Sequence, residues 1–416
     1  MKISHILNNV NLKLTPVSDL AKQRIGLLLH SRITGVSIDT RKIRQGNLFV
    51  ACKGATKQSA HGYTFMNEAQ KNGAILIITD NTETIDRRIT VPILICHNAR
   101  IAAAVLSEMF YHFPSKQLRV CGITGTNGKT TVSFLLSSIQ QANGKKSAVF
   151  GTLGFGQVNK LQVTNYTTPE AESISKILSS LHKNHFEDVA MEVSSHSLAT
   201  HRVDGLNFDR CAFTNLSPDH LDFHENMEKY SQAKDRLFLE LLGNNKMAIL
   251  PYSHHLTRKK IPIHEVLTFG DDSKADVQLI DYNTGISGTS LKIKFMHQIE
   301  EVKCPFIGRF NVQNALCAAT IAFSQATKVE NILRGILDQQ RQFPDDAGVV
   351  FDTSGYQQCP QLDCHVLRCN FRAYFVINYH KLNESHHTCA GAHGCLHDGD
   401  FNIHHCRGPD TESILP

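Results

Sequence analysis

Lys129-Thr130-Thr131 follows directly on Gly125-Thr126-Asn127-Gly128, a run of residues suited to holding a polyphosphate. Glycines at both ends of such a loop let backbone N–H groups close around phosphate oxygens, and a helix starting at Lys129 adds positive potential. The Lys129 ammonium can reach the β- and γ-phosphates, and the Thr130 hydroxyl can ligate Mg²⁺. The usual pattern has four residues between its glycines, whereas Gly122 and Gly128 enclose five. The flanks favour a nucleotide site over an ordinary glycine turn. Val120–Ile123 reads as a buried strand and Val132–Gln141 as a helix.

Further along, Asp188–Val193 is an apolar run that meets an acid, Glu192, near its C-terminal end. Nucleotide-binding sheets hold a Mg²⁺-coordinating acid at that edge, so Glu192 is a candidate metal ligand. Ser194-Ser195-His196-Ser197 comes next. A serine nucleophile with a histidine base would sit in a Gly-x-Ser-x-Gly elbow, which these residues lack, so they read as substrate-positioning hydroxyls. The strand Arg210–Thr214 runs into Asn215-Leu-Ser-Pro-Asp219-His220-Leu-Asp222-Phe-His224, whose acids and imidazoles suit a second metal. In the amphipathic run Met227–Leu242, spacing alone leaves Lys234 on a solvated helix face.

These residues need a scaffold, and the composition bounds it. A chain of 416 residues exceeds one ordinary core, with 41% apolar and 19% charged residues, as in a soluble globular protein. The net charge of +5 is too dispersed to argue for nucleic acid. Met1–Asn9 lacks the apolar core of a signal peptide and no run approaches membrane-spanning length, so a cytoplasmic protein with no membrane partner is expected, and a monomer is expected alongside. Cys52, Cys96, Cys121, Cys211, Cys304 and Cys317 stand singly in apolar settings and read as buried thiols.

Alternating strands and helices predict an α/β protein. Residues 1–112 form a small α/β domain, with strands at Gly35–Arg41, around Asn47–Cys52 and at Ala74–Thr79. Asp39 and Arg41 beside its glycine turns suit a polar ligand as well as they suit turn capping and a surface ion pair. His112–Lys116 is the linker, and residues 113–340 form a central P-loop domain with a mostly parallel sheet. Gly151–Gly156 reads as a glycine-rich turn and Asn165–Glu170 as a polar loop.

Taken together, these segments resemble the Mur ligases of peptidoglycan synthesis, and among them the branch that adds the third residue of the stem peptide. The matching residues are Gly125–Thr131, Thr167-Thr-Pro169, Glu192–His196 with His201-Arg202, Asn215–His224, Tyr230–Lys234 and Gly308–Asn314, in order over about 190 residues. Ser37–Arg41 and Gly46–Val50 extend the likeness into the first domain. The resemblance implies that this domain holds the UDP end of the substrate, with Ser37 at that site. It implies that Gly125 to Thr131 and Asn311 bind ATP, with Asn311 near the adenine. Thr130 and Glu192 would hold one Mg²⁺, and His220 with a carbamylated Lys234 a second. Thr167, Thr168, Ser195 and Arg202 would contact the muramoyl peptide. Lys129, Glu192, His220 and Lys234 would form the catalytic set. Thr200 departs from the glutamine that close relatives often carry at a substrate contact.

The implied partners are UDP-N-acetylmuramoyl-L-alanyl-D-glutamate, ATP and an incoming amino acid, with diaminopimelate preferred to lysine. The implied chemistry is amide ligation through an acyl phosphate. Folylpolyglutamate synthase is an alternative within the superfamily, but Thr167-Thr-Pro169 and the UDP-type first domain count against it. A remnant that binds nucleotide or UDP-sugar peptide without turnover is the non-enzymatic alternative.

The likeness stops near Gln340. The family's Pro-Gly-Arg-Met segment and third, Rossmann-like domain are not recognisable in residues 341–416, which are rich in cysteine and histidine. A zinc module lacks any Cys-x-x-Cys pair, and a replacement domain lacks helix or strand period. Translation out of frame is preferred, because Gln342-Phe-Pro-Asp-Asp346 read two bases along can encode Val-Pro-Gly-Arg where the family motif belongs. A disordered tail is then expected, with activity in question for want of the third domain.

Overall fold

The computed structural model describes residues 1–9, 12–54, 60–82, 85–164, 166–258, 265–285, 288–338, 394–397 and 400–403. The expectations for the tail fall largely outside the described residues. Its two described segments, Gly394–His397 and Asp400–Ile403, pair antiparallel.

Two sheets carry the architecture. The first has strands β1 (Thr15–Pro16), β2 (Val36–Ser37), β3 (Asn47–Ala51), β4 (Ala74–Thr79) and β5 (Ile93–Ile95), in the order β1-β5-β4-β3-β2. Only the β1–β5 pair is antiparallel. Its interior strand β3 is buried along its whole length, with Leu48 and Val50 packed on one face and Phe49 and Ala51 on the other. Side chains of period two must divide in this way when both faces of a parallel sheet are covered.

The second sheet is larger. Its strands are β6 (Arg119–Thr124), β7 (Ser147–Gly151), β8 (Gly154–Gln157), β9 (Lys160–Gln162), β10 (Asp188–Glu192), β11 (Phe208–Phe213), β12 (Leu242–Pro251), β13 (Glu265–Gly270), β14 (Val277–Gly285), β15 (Gly288–Phe295) and β16 (Gln298–Cys304). They run β16-β15-β14-β13-β12-β11-β6-β10-β7-β8-β9. The stretch from β7 to β14 is parallel and both ends are antiparallel hairpins, so the sheet is mostly parallel, as expected. On β6, Cys121 and Ile123 face the helices Lys129–Ala142 and Arg309–Ser324, while Val120 faces the layer containing Ala171–Lys183. The chain leaves β6 toward β7 on one side and later returns to β11 on the other. That reversal opens a crevice at the C-terminal ends of β6, β10 and β11.

Three local expectations need correction. Gly151–Gly156 is mostly strand: Gly151 closes β7, Thr152 and Leu153 make the tight hairpin connection, and Gly154 (φ +127°) opens β8. The helix from Met227 ends at Arg236, passes through a wider π-turn at Leu237–Leu241, and becomes β12 at Leu242. The linker at His112–Lys116 is partly helical, because Pro114 starts a single turn after two left-handed residues, His112 and Phe113. All six of the predicted buried thiols are buried. Among the described residues no helix is long and apolar enough to cross a membrane.

A buried acid ties the two sheets together. Glu108, on the helix Ala99–Phe110 that covers the first sheet, accepts hydrogen bonds from Ser115 N and Oγ (3.2 and 2.6 Å) and from Ser175 Oγ (2.9 Å). Ser175 belongs to the helix Ala171–Lys183, and Ser115 Oγ also accepts from Asn207 N. Burial raises the Glu108 pKa, the serine hydrogen bonds opposing it. A raised acid stabilises the fold fully below the ordinary glutamate value and loses that contribution as pH rises through the folded value. We therefore expect Glu108→Gln to gain on the wild type as pH rises from about 4.5 toward neutrality. Paired thermal unfolding across that range checks this, and a constant difference would contradict it.

Candidate functional site

The phosphate loop leaves β6 at Thr124 and enters the helix at Lys129. Gly125 (φ +141°) and Gly128 (φ +83°) take backbone conformations that other residues rarely adopt. A Cβ on Gly125 would lie 2.0 Å from Thr214 Oγ1 and 3.0 Å from the Asn215 backbone. The loop is stitched to β11 and the turn after it. Asn127 N donates to Asn215 Oδ1 (3.0 Å), while Asn215 Nδ2 and Thr214 Oγ1 donate to Asn127 O (3.0 and 2.6 Å). We expect Gly125→Ala to cost about 1–3 kcal/mol of stability and to weaken nucleotide binding. Gly144→Ala is the control, since its φ is also positive (+77°) but its Cβ meets nothing within 4 Å among the described residues. Equal losses in unfolding and nucleotide titration would contradict a packing role for Gly125.

Lys129 folds over the loop and donates to Gly125 O (2.9 Å) and Thr126 O (2.8 Å). Beside it Thr130 Oγ1 donates to Glu192 Oε1 (3.0 Å). Glu192 is buried at the end of β10 and also accepts from Thr152 N (3.0 Å) and Thr152 Oγ1 (3.1 Å). Burial raises its pKa, with Lys129 the leading influence in the other direction. A buried carboxylate beside a threonine hydroxyl is an all-oxygen donor pair that suits a hard divalent cation.

Glu192 also connects the loop to the Thr167-Thr168 segment. Thr152 Oγ1 lies 3.0 Å from Thr167 Oγ1, and Thr168 Oγ1 donates to Glu192 O (3.0 Å). Arg202 donates to Thr168 O (3.0 Å) and pairs with Glu170 (3.2 Å), which Arg100 approaches at 3.4 Å from the helix over the first sheet. These predicted substrate residues are thus brought to one edge.

Lys234 is not on a solvated face. It is buried, donates to Gly125 O (2.8 Å), and lies over the Tyr230 ring 4.4 Å from its centroid. Desolvation first, and Lys129 second, push its pKa well below the ordinary lysine value. Tyr230, one helical turn back, shares a hydrogen bond with Thr126 Oγ1 (3.2 Å). His220, in the left-handed region (φ +51°), lies 3.5 Å from Asp219 and edge-on to His196 (4.8 Å). Burial lowers the His196 pKa to about 4, so that ring is neutral near pH 7. Ser195 is buried against His224 Nε2 (3.0 Å).

Ser37 is buried in the first sheet, where its hydroxyl and Asp39 N form a tight turn (3.1 Å). Asp39 caps the turn Thr40–Lys42 and pairs with Arg41 (2.8 Å), as the capping alternative required. Asn311 is buried at the start of its helix and donates to Ile307 O (2.9 Å). Its neighbour Asn314, assigned no role from sequence, lies where a Gly128 Cβ would come within 2.1 Å of Oδ1. Thr152 and Asn215 were also given no role. Both follow the C-terminal ends of strands, β7 and β11, and Asn215 also opens one of the segments that carry the family resemblance.

The Mur ligase middle domain matches residues 123–322 and the Mur ligase family catalytic domain matches residues 32–111. Residues 32–322 of this chain belong to the Mur ligase family. The UDP-N-acetylmuramoyl-L-alanyl-D-glutamate--2,6-diaminopimelate ligase of Bacillus velezensis is 34% identical over 315 residues, 74% of this chain and 63% of the relative. The UDP-N-acetylmuramoyl-L-alanyl-D-glutamate--L-lysine ligase of Staphylococcus haemolyticus is 34% identical over 75% of this chain and 63% of its own. The chain therefore spans less than two thirds of the length of these relatives. A solved 2,6-diaminopimelate ligase structure superposes with a TM-score of 0.65 at 26% identity, covering 75% of this chain and 63% of that one. MurF from Acinetobacter baumannii shares the fold, with a TM-score of 0.52 at 20% identity over 80% of this chain and 70% of its own.

Proposed function

We propose that this chain is an ATP-dependent amide ligase that adds the third stem-peptide residue to UDP-N-acetylmuramoyl-L-alanyl-D-glutamate. Diaminopimelate is the first choice of amino acid and lysine the second, since 34%-identical relatives carry both names. The observation that carries the reading is the Glu192 carboxylate, hydrogen-bonded at once to Thr130 of the phosphate loop and to Thr152 beside Thr167. A phosphate donor held by the loop and a carboxylate acceptor held by Thr167, Thr168 and Arg202 would meet across that acid.

In this reading residues 1–112 hold the UDP end, with Ser37 at that site, and residues 113–340 bind ATP, with Asn311 toward the adenine. Lys129 swings from the Gly125 and Thr126 carbonyls to the transferring phosphoryl group and stabilises its charge. Thr130 and Glu192 would hold one Mg²⁺, and His220 with Lys234 a second, which would supply charge neutralisation on the phosphates. Lys234 serves as a carbamate, because a buried neutral amine is the form that attacks CO₂ and the product is an oxygen ligand. The substrate γ-carboxylate takes the phosphoryl group, and the amine of the incoming amino acid then displaces phosphate. Ser195 with His224, and His196, line the acceptor side.

The experiment is a titration of the full chain with UDP-N-acetylmuramoyl-L-alanyl-D-glutamate and with ATP plus Mg²⁺, followed by phosphate release with each amino acid. Saturable binding of both and release with one amino acid are expected. No affinity for the UDP substrate would overturn the assignment. Binding of both ligands without release would favour a nucleotide- and UDP-sugar-peptide-binding role instead.

A further inference from the structure

Behind the Lys234 helix lies a cluster that the ligase chemistry does not use. Asp235, the next residue, is buried and turns toward the segment that follows β12. There His254 and His255 present their imidazoles side by side, with centroids 4.4 Å apart and planes tilted by 30°. His255 Nε2 lies 2.7 Å from Asp235 Oδ2, and His254 Nε2 lies 4.0 Å from Asp235 Oδ1. The ligand atoms of all three residues fall within 4.8 Å of one another. His254 is only 9% exposed, is packed on the Phe213 ring (4.2 Å), and has no hydrogen-bond partner at Nε2 among the described residues. A buried imidazole nitrogen aimed at a carboxylate but beyond hydrogen-bond range leaves a gap at the centre of the cluster.

From this geometry we propose that Asp235, His254 and His255 form a binding site for a divalent transition-metal ion of the zinc type, separate from the Mg²⁺ positions of the ligase. A tetrahedral ion about 2.0–2.1 Å from each ligand requires ligand atoms about 3.3 Å apart. The observed 2.7 and 4.0 Å straddle that spacing: His255, whose side chain is 42% exposed, can rotate to open the shorter contact, and a turn of the Asp235 carboxylate would close the longer. Two imidazoles and a carboxylate favour zinc over the hard Mg²⁺, and the exposed side of His255 leaves room for water as a fourth ligand. Ligation through His254 Nε2 moves the ring proton to Nδ1. That gives up the hydrogen bond Nδ1 accepts from Leu256 N, which at 3.3 Å is long and little to lose. The ion would clip the helix carrying Tyr230 and Lys234 to the end of β12, and so hold the second-metal side of the phosphate site in place.

The test uses the full chain, stripped with a chelator and titrated with Co²⁺ in excess Mg²⁺, which keeps the oxygen sites filled. Visible d–d bands of a tetrahedral ion are expected without the thiolate charge-transfer band that the cysteines of the tail would add. His255→Ala, at an exposed position, should abolish those bands and weaken Co²⁺ binding by about 100-fold or more. Asp235→Asn should do the same, and Zn²⁺ should raise the unfolding temperature of the wild type but of neither variant. Bands that are absent in the wild type, or unchanged in His255→Ala, would overturn the site and leave Asp235–His255 as an ion pair alone.

Discussion

Replacement of Lys129 by alanine is expected to reduce phosphoryl transfer by roughly 10²–10³-fold or more, the scale on which removal of one preorganised charge-stabilising donor acts. The fold should tolerate the change. Lys129 is only partly buried, its ammonium donates to the Gly125 and Thr126 carbonyls, and Lys234 also donates to Gly125 O. Binding of the UDP substrate should stay close to wild type, because Lys129 opens a helix of the second sheet while Ser37 lies in the first. Isothermal titration with each ligand, together with phosphate release, separates these effects. Equal loss of UDP-substrate binding and phosphoryl transfer would contradict the division of labour proposed between the two sheets.

Lys234→Met should act in opposite directions on stability and on chemistry. A buried amine forced toward neutrality is costly, and an apolar side chain of similar length relieves that cost by about 1 kcal/mol or more. The Lys234 pKa is depressed, so its contribution is favourable above the ordinary lysine value and is lost as pH falls through the folded value. The stability advantage of Lys234→Met should therefore widen as pH is lowered from about 10.5. Phosphoryl transfer, in contrast, should fall sharply, and the stimulation by bicarbonate expected of the wild type should disappear. The smaller Lys234→Ala leaves a cavity that small carboxylates can enter, and these should restore part of the activity. A wild-type rate in Lys234→Ala without bicarbonate would remove the carbamate from the proposal.

The phosphate loop was legible because its residues are contiguous. Gly125, Gly128, Lys129 and Thr130 need only the strand before them and the helix after them, and both announce themselves in the apolar pattern. Glu192 was legible for a related reason, since an acid at the end of a buried strand falls at the sheet edge where ligands bind. The alternation of strands and helices likewise implied the mostly parallel sheet.

Other features depend on residues far apart in the chain. By spacing Lys234 reads as a solvated lysine, its metal-site role coming from the family resemblance alone, and the packing of its helix beneath Gly125, 109 residues earlier, makes it a buried amine. The Asp235–His254–His255 cluster spans a π-turn and a whole strand, so no spacing rule could have joined its members. Thr152 and Asn314 are ordinary polar residues in sequence, and they gain meaning because the fold sets one on Glu192 and the other against Gly128. Residues that act through local backbone geometry, in a loop between a strand and a helix or as an acid at a strand end, can be read along the chain. Which side chains lose water and which charges face one another follows from the fold, because burial and electrostatic coupling arise when distant segments pack.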